Sequence, residues 1–238
     1  MASIPSSLKD AFHSFPPQQQ PSLSFPLGLG EAGVHEICEA SHGDFPAMTG
    51  FALAARTRRK GPVIWIRQSS LKQAHGGLLQ AGCREIAPDL PPSLNITPRK
   101  PAEALWATEE AIRSGVASLV IAELEDASFT ASRRLALVSG RHGTPVILLM
   151  PYTRDGATAA NARWRLSPRP SSPNRYDTHA PGALRWKAVL ERSRQAPHMA
   201  GQSFDLELDD ETLSLRVVSG LAADPAPARS PRPQDRIG

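Results

Sequence analysis

Four short apolar runs limit what this chain can fold into: residues 33–38, 62–67, 117–123 and 144–150. Each is too brief for a packed helix and carries branched residues such as Val34, Ile37, Val63 and Ile64. Each is also apolar almost without interruption, which is how a strand covered on both faces reads. The stretches between them have helical spacing. Phe51, Leu53, Ala54 and Ala55 follow Pro46, while Ala104, Leu105, Thr108, Ala111 and Ile112 follow Pro101 and stop at Gly115. Leu135, Leu137 and Val138 lie within a third helical stretch, 132–140. A shorter helix is predicted over 72–81, ending at Gly82, and a further short strand over 94–97. The run Arg58, Arg59, Lys60, Gly61 suits the end of the helix after Pro46, because cations favour the negative end of the helix dipole. Strands alternating with helices at this interval require crossover connections, so the expected fold is α/β, a parallel central sheet flanked by helices.

The rhythm changes after Met150. Residues 163–166, 185–190, 203–208 and 213–217 alternate apolar with polar side chains, as half-buried strands do, and are predicted to extend the sheet antiparallel along one edge at its C-terminal side. Residues 168–181, rich in Pro, Ser and Arg, read as a long loop. Residues 1–26 carry Pro5, Pro16, Pro17, Pro21 and Pro26 with no sustained periodicity and read as an irregular lead-in. Residues 222–238 are proline-rich with no apolar face and are expected to be disordered, which leaves a single domain over 27–221.

The connection after the first apolar run has the strand, small-residue loop, helix layout of a phosphate-binding turn, but not its chemistry. Such a turn needs glycines so that backbone N–H groups can close around phosphate, a Lys to reach the terminal phosphates, and a Ser or Thr hydroxyl for Mg²⁺. Over residues 39–46 (Glu-Ala-Ser-His-Gly-Asp-Phe-Pro), Glu39 and Asp44 stand near the two glycine positions, Phe45 at the lysine and Pro46 at the Ser/Thr. Ser41, His42 and Gly43 complete this degenerate P-loop. Two carboxylates facing a polyphosphate at ~4 Å would each repel it by ~1 to 4 kcal/mol, with no cation to offset them. Pro46 still suits a helix start, where a missing N–H costs nothing. The competing reading is an ordinary strand-to-helix connection.

Charge is uneven. The chain carries +4 overall, yet residues 154–194 hold nine basic side chains against three acidic ones, a net +6, which favours an acidic partner. Two cysteines, Cys38 and Cys83, form neither a metal spacing nor a disulfide framework, and a reducing cytoplasm is the expected location. No run approaches the ~18 apolar residues of a membrane span, and the first residues lack the apolar stretch of a secretory signal. His35 and His42 have no Ser or Cys nucleophile motif and no metal-ligand spacing beside them, so both are expected to be structural or solvent-facing. Trp164 and Trp186, set among arginines, could stack on single-stranded bases, but aromatics in alternating strands are more often core.

A parallel core opening on Gly33-Val-His-Glu-Ile, a ruined P-loop, a strand ending in a carboxylate and an antiparallel tail together resemble the RecA core, from about Gly33 to Val218. Residues 112–123 are similar to the helix end and strand that lead to the magnesium-orienting acid. The resemblance therefore puts Glu123 in place of the usual Asp, as a degenerate Walker B residue that is expected to be a solvated strand-end charge. Residues 163–167, 185–197 and 203–208 look like the strands behind RecA's second DNA-binding loop, which marks Arg154, Arg163, Arg165, Arg185 and Lys187 as candidate contacts for single-stranded DNA. Two features depart from that family. Residues 67–70 (Arg-Gln-Ser-Ser) offer no catalytic Glu, and 124–130 is too short for a first DNA-binding loop.

Among RecA relatives with a ruined P-loop, the chain most resembles the ImuA family, accessory proteins of bacterial damage-inducible, error-prone translesion synthesis. That resemblance implies a protein without catalysis, cofactor or metal, acting through an ImuB-like inactive Y-family polymerase and RecA, and indirectly through an error-prone C-family polymerase subunit. Two alternatives carry less. A SulA-type inhibitor of cell division would be shorter and less basic after Met150, and a live RecA-type ATPase is opposed by Phe45, Pro46 and the absent Glu.

Overall fold

The computed structural model describes residues 23–24, 29, 32–174, 176–177 and 179–218. Most of the predicted lead-in and the whole of the predicted tail lie outside them. The described chain begins with β1 (Leu23–Ser24) at the far antiparallel edge, and the parallel half follows with β2 (Gly33–Glu39), α1 (Phe45–Ala55), β3 (Val63–Arg67), α2 (Ser69–His75) and α3 (Gln80–Ile86). It continues with β4 (Ser93–Ile96), α4 (Pro101–Arg113), β5 (Leu119–Glu123), α5 (Phe129–His142) and β6 (Pro145–Met150). The chain then turns to β7 (Ala162–Arg169), β8 (Arg185–Ser193), β9 (Ser203–Leu208) and β10 (Leu215–Val217). All form one sheet in the order β1-β10-β9-β8-β7-β2-β6-β5-β3-β4.

The fold class is the one the sequence predicts, an α/β sheet with a parallel centre and an antiparallel extension. Strands β2, β3, β5 and β6 are buried along their whole length, as strands covered on both faces are, although β2 carries His35, Glu36 and Glu39 and β3 and β5 end in Arg67 and Glu123. One detail differs. β7 alternates like an antiparallel strand, but it pairs parallel with β2, His35 opposite Ala162, and only its other edge is antiparallel, to β8. Alternation reports that one face is wet, not which way the neighbour runs.

Two layers of side chains hold the sheet. On the α1 to α3 side Ile37, Phe51, Trp65, Ile121, Ile147 and Leu149 form a core that continues beneath the extension to Trp164, Trp186 and Leu206. Both tryptophans are therefore core residues. On the other side Val34, Ile64, Val120 and Leu148 pack under α4 and α5, and α4 contributes Ile112. Gly33 starts β2 at φ +128, a backbone conformation that L side chains rarely adopt, and a Cβ there would also press on the Asn161 amide at 2.2 Å, so a side chain at the start of the central strand is strained.

Four local expectations need correction. The predicted helix over 72–81 is two helices parted at Gly76, which takes φ +78, and Gly82 lies inside α3. α1 ends at Ala55, before the basic run, and has no base in its last turn; Arg56 is extended, donates to the Leu53 carbonyl at 2.6 Å and pairs with Asp89. Within the predicted irregular lead-in, Leu23–Ser24 pairs with β10 as an edge strand. Glu39 belongs to β2 and not to the loop after it.

Candidate functional site

Open α/β sheets place ligands beyond the carboxyl ends of their strands, where the strand order reverses. Here the chain leaves β2 on one side for β3 and later fills the other side with β7, so that reversal falls beside β2 and the loop 40–44.

The loop is closed by its own groups. The Asp44 carboxylate accepts the Ser41 N–H at 3.0 Å, and the Asp44 N–H donates to the Ser41 carbonyl at 3.1 Å. A backbone donor that a phosphate would use is thus already taken by a fixed negative charge. Glu39 is buried at the strand end, where it accepts the Tyr152 N–H at 3.2 Å. His42 is exposed and sets its ring edge-on to Tyr152, while Gly43 turns the loop at φ +99.

Phe45, at the lysine position, is 2% exposed and stacks on His75 with ring centroids 4.2 Å apart. It points into the apolar layer, where an ammonium could not follow without losing its hydration. Pro46 lies in the first turn of α1, as its missing N–H allows, and brings no hydroxyl for a metal.

The acid at the end of β5 is not a solvated charge. Glu123 is fully buried, and its Oε1 accepts from Arg67 Nε at 2.7 Å and from Trp65 Nε1 at 2.8 Å. Its Oε2 has no hydrogen-bond partner. Burial pushes the carboxyl above the usual range, and the Arg67 and Trp65 bonds hold it back. Arg67 comes from β3, directly opposite Glu123 in the parallel register, so two charges ending adjacent apolar runs neutralise each other inside the fold. Next to it Gln68 stands where a catalytic Glu would be needed. Its amide clamps Glu125, donating from Nε2 to the carboxylate at 2.7 Å and accepting the Glu125 N–H at 3.2 Å. At the lysine and Ser/Thr positions a Mg²⁺-nucleotide would meet the buried Phe45 and Pro46, and the acid ending β5 is held by Arg67, so the residues at these positions do not fit one. Among the described residues no group of three or more His, Cys, Asp or Glu could hold a metal ion.

The protein named ImuA of Caulobacter vibrioides strain NA1000 / CB15N is 31% identical over 185 residues, covering 70% of this chain and 72% of its own length. ImuA of strain ATCC 19089 / CIP 103742 / CB 15 matches to the same extent. The chain belongs to the ImuA family. No protein-family model matches it.

In this ImuA-family chain the basic side chains marked for DNA are divided by the sheet. Arg154 and Arg163 are 7% and 5% exposed, and both are bound to Glu36, a fully buried carboxylate in the middle of β2. Arg163 Nε donates to Glu36 Oε2 at 2.7 Å, Arg154 Nη2 to Oε1 at 3.4 Å and the Thr158 hydroxyl to Oε1 at 2.6 Å. Arg163 also holds the Gly156 carbonyl and Arg154 those of Asp155 and Ala157. The connection 151–161 is therefore wrapped around a buried ionic centre, and both guanidiniums are buried within it, out of reach of phosphate.

The other candidates lie on the wet face of the extension, mostly paired. Arg165 binds Glu191 at 2.6 Å, Arg185 lies 3.5 Å from Glu207, and Arg216 binds the same Glu207. Lys187 is half-buried opposite Asp205 across β8 and β9, with no salt bridge among the described residues. The net +6 counted along the chain is offset across the sheet by Asp205, Glu207 and Asp209, which a count along the sequence does not show. His35 is buried on β2, and Cys38 and Cys83 are buried and unbridged; burial pushes the Cys38 thiol up to about 12, which keeps it protonated and inert. No described helix is long and apolar enough to cross a membrane.

Proposed function

We propose that the chain is a non-catalytic accessory protein of damage-induced, error-prone translesion synthesis that works by holding protein partners. Membership of the ImuA family supports the pathway. The observation that carries the mechanism is Phe45 buried against His75, beside a loop whose free N–H is taken by Asp44. A RecA-type core in that state keeps its surfaces while losing the nucleotide that would cycle them. The partners this reading calls for are an ImuB-like inactive Y-family polymerase and RecA, with an error-prone C-family polymerase subunit reached through them.

Calorimetry with Mg-ATP tests the reading: no heat of binding at millimolar nucleotide is expected, and a micromolar dissociation constant would overturn it. Phe45→Lys is expected to leave nucleotide binding undetectable, because Glu123 stays sealed by Arg67 and the loop stays acidic. It should also lower the melting temperature, since it buries an ammonium without a partner.

A further inference from the structure

Behind Phe45, Thr49, Gly50 and Leu53 of α1 face α3 and the turn before β8. A cavity of about 550 Å³ lies between them. That is the size of a ligand-binding cleft, and it is lined mainly by apolar side chains. Two of the larger exposed apolar residues stand at its mouth, Leu79 at 73% and Leu184 at 43% exposure. Water-facing leucines around an apolar hollow mark a surface that gains by being covered.

The charges define what covers it. Arg67 lines the inner wall, but its charge is already neutralised by Glu123, so it can lie against an aromatic face or donate to a carbonyl without requiring an acid. Glu85 and Asp210 line the outer wall, both exposed, and neither forms a salt bridge among the described residues. Their field favours cations beside the mouth. The chain's own C-terminal segment starts on the wrong side for this role. Leu215 of β10 pairs with the cavity-lining Leu208, and Val217 pairs with Leu206, so the chain leaves the sheet running away from the cavity.

We propose that this cavity docks a segment of a partner protein carrying one aromatic or leucine anchor flanked by Lys or Arg. The anchor fills the space behind Phe45, and the flanking cations meet Glu85 and Asp210. The proposal deepens the adaptor reading and rests on it for the existence of a protein partner, yet the two fail separately. Mg-ATP binding would overturn the adaptor reading, whereas the peptide experiment below overturns only the docking site.

The test is selection of a random heptapeptide library on the full chain, followed by anisotropy titration of the enriched peptides against three variants. Gly82→Leu narrows the mouth: a Cβ there meets only Leu79, at 3.8 Å, and leucine suits a helix interior better than glycine. It is expected to abolish binding with the melting temperature unchanged or raised. Glu85→Lys and Asp210→Lys, both at exposed positions, are each expected to weaken basic-flanked peptides at least tenfold. Enriched peptides should share an apolar anchor with Lys or Arg within two positions. No enrichment, enrichment without basic flanks, or equal binding to Gly82→Leu overturns the proposal. So does a dimer of the full chain that Gly82→Leu breaks, which would give the cavity to a second copy, or displacement of the enriched peptides by a synthetic peptide of residues 219–238, which would give it to the chain's own tail.

Discussion

The two halves of the sheet treat charge in opposite ways. In the parallel half, Glu36 and Glu123 are both fully buried, and each is held by arginine from a neighbouring strand or connection. In the antiparallel half, Arg165, Arg169, Arg185 and Arg216 pair with Glu191, Asp205 and Glu207; Glu207 is itself buried, but the arginines are partly exposed to water. A strand covered on both faces cannot leave a charge unanswered, because an isolated buried ion loses several kcal/mol of hydration. A strand with one wet face can, and its ion pairs contribute ~0 to 1 kcal/mol each. An arginine therefore means structure in the first setting and surface in the second, though the residue is the same.

Removing two arginines of β7, one bound to the buried Glu36 of the parallel half and one on the wet side of the extension, should expose that contrast most strongly. Arg163→Met takes the 2.7 Å donor from Glu36 and leaves a buried carboxylate with Thr158 and a long contact to Arg154. Breaking a buried pair from one side costs ~3 to 5 kcal/mol, which for a domain of this size lowers the melting temperature by roughly 6 to 20 °C, at ~2 to 4 °C per kcal/mol. Arg169→Met, which breaks the exposed pair with Asp205, should lower it by no more than about 4 °C on the same scale, from a surface pair worth at most ~1 kcal/mol. The double change Glu36→Met with Arg163→Met is expected to recover part of the first loss. Equal melting shifts for the two single variants would erase the distinction between the halves.

The fold was more legible in the sequence than the site, for a physical reason. Apolar runs such as 117–123 must be strands covered on both faces because their residues have nowhere else to go, so strand positions follow from local pattern alone. The partner of a buried charge does not. Glu36 meets Arg163 at a separation of 127 residues, and nothing near either residue announces the other. The Arg67 and Glu123 pair did carry a signal: each ends an apolar run, and adjacent parallel strands bring such ends together. Reading Glu123 as solvated missed that register. The acidic character of the loop is legible in residues 39–46, but the stacking of Phe45 on His75 depends on where α2 packs, which periodicity does not specify.

The halves should also answer pH in opposite directions. Burial raises the folded-state pKa of Glu123 above its ordinary 4.5, so between the two values the folded state binds more protons than the unfolded chain. Stability contributed there falls as pH rises from about 4.5 through the folded value. In the extension the backbone N–H and hydroxyl of Thr212 hold Asp209 below its ordinary 3.8, so its contribution is present above that value and lost as pH falls through the folded one. Denaturant midpoints between pH 3 and 8 check this. Glu123→Gln should flatten the decline above pH 4.5, and Asp209→Asn should flatten the loss below pH 3.8. A Glu123→Gln profile parallel to wild type would show that its carboxyl titrates as if in water.

The smallest effect concerns single-stranded DNA. With Arg154 and Arg163 bound to Glu36, and Arg165 and Arg185 beside Glu191 and Glu207, Lys187 is the candidate cation left without a salt bridge among the described residues. Each phosphate contact on a single strand steepens the slope of log affinity against log salt by ~0.7. The expected slope is therefore about −1 from one or two contacts, against about −3 to −4 had the arginine set been free. Lys187→Ala should flatten what slope there is by ~0.7, while Arg163→Met, measured below its melting transition, should leave it unchanged. A slope near −4 that Arg163→Met reduces would show that the 151–161 connection opens to release its arginines, and the sharp division between a buried and a wet half would not hold on DNA.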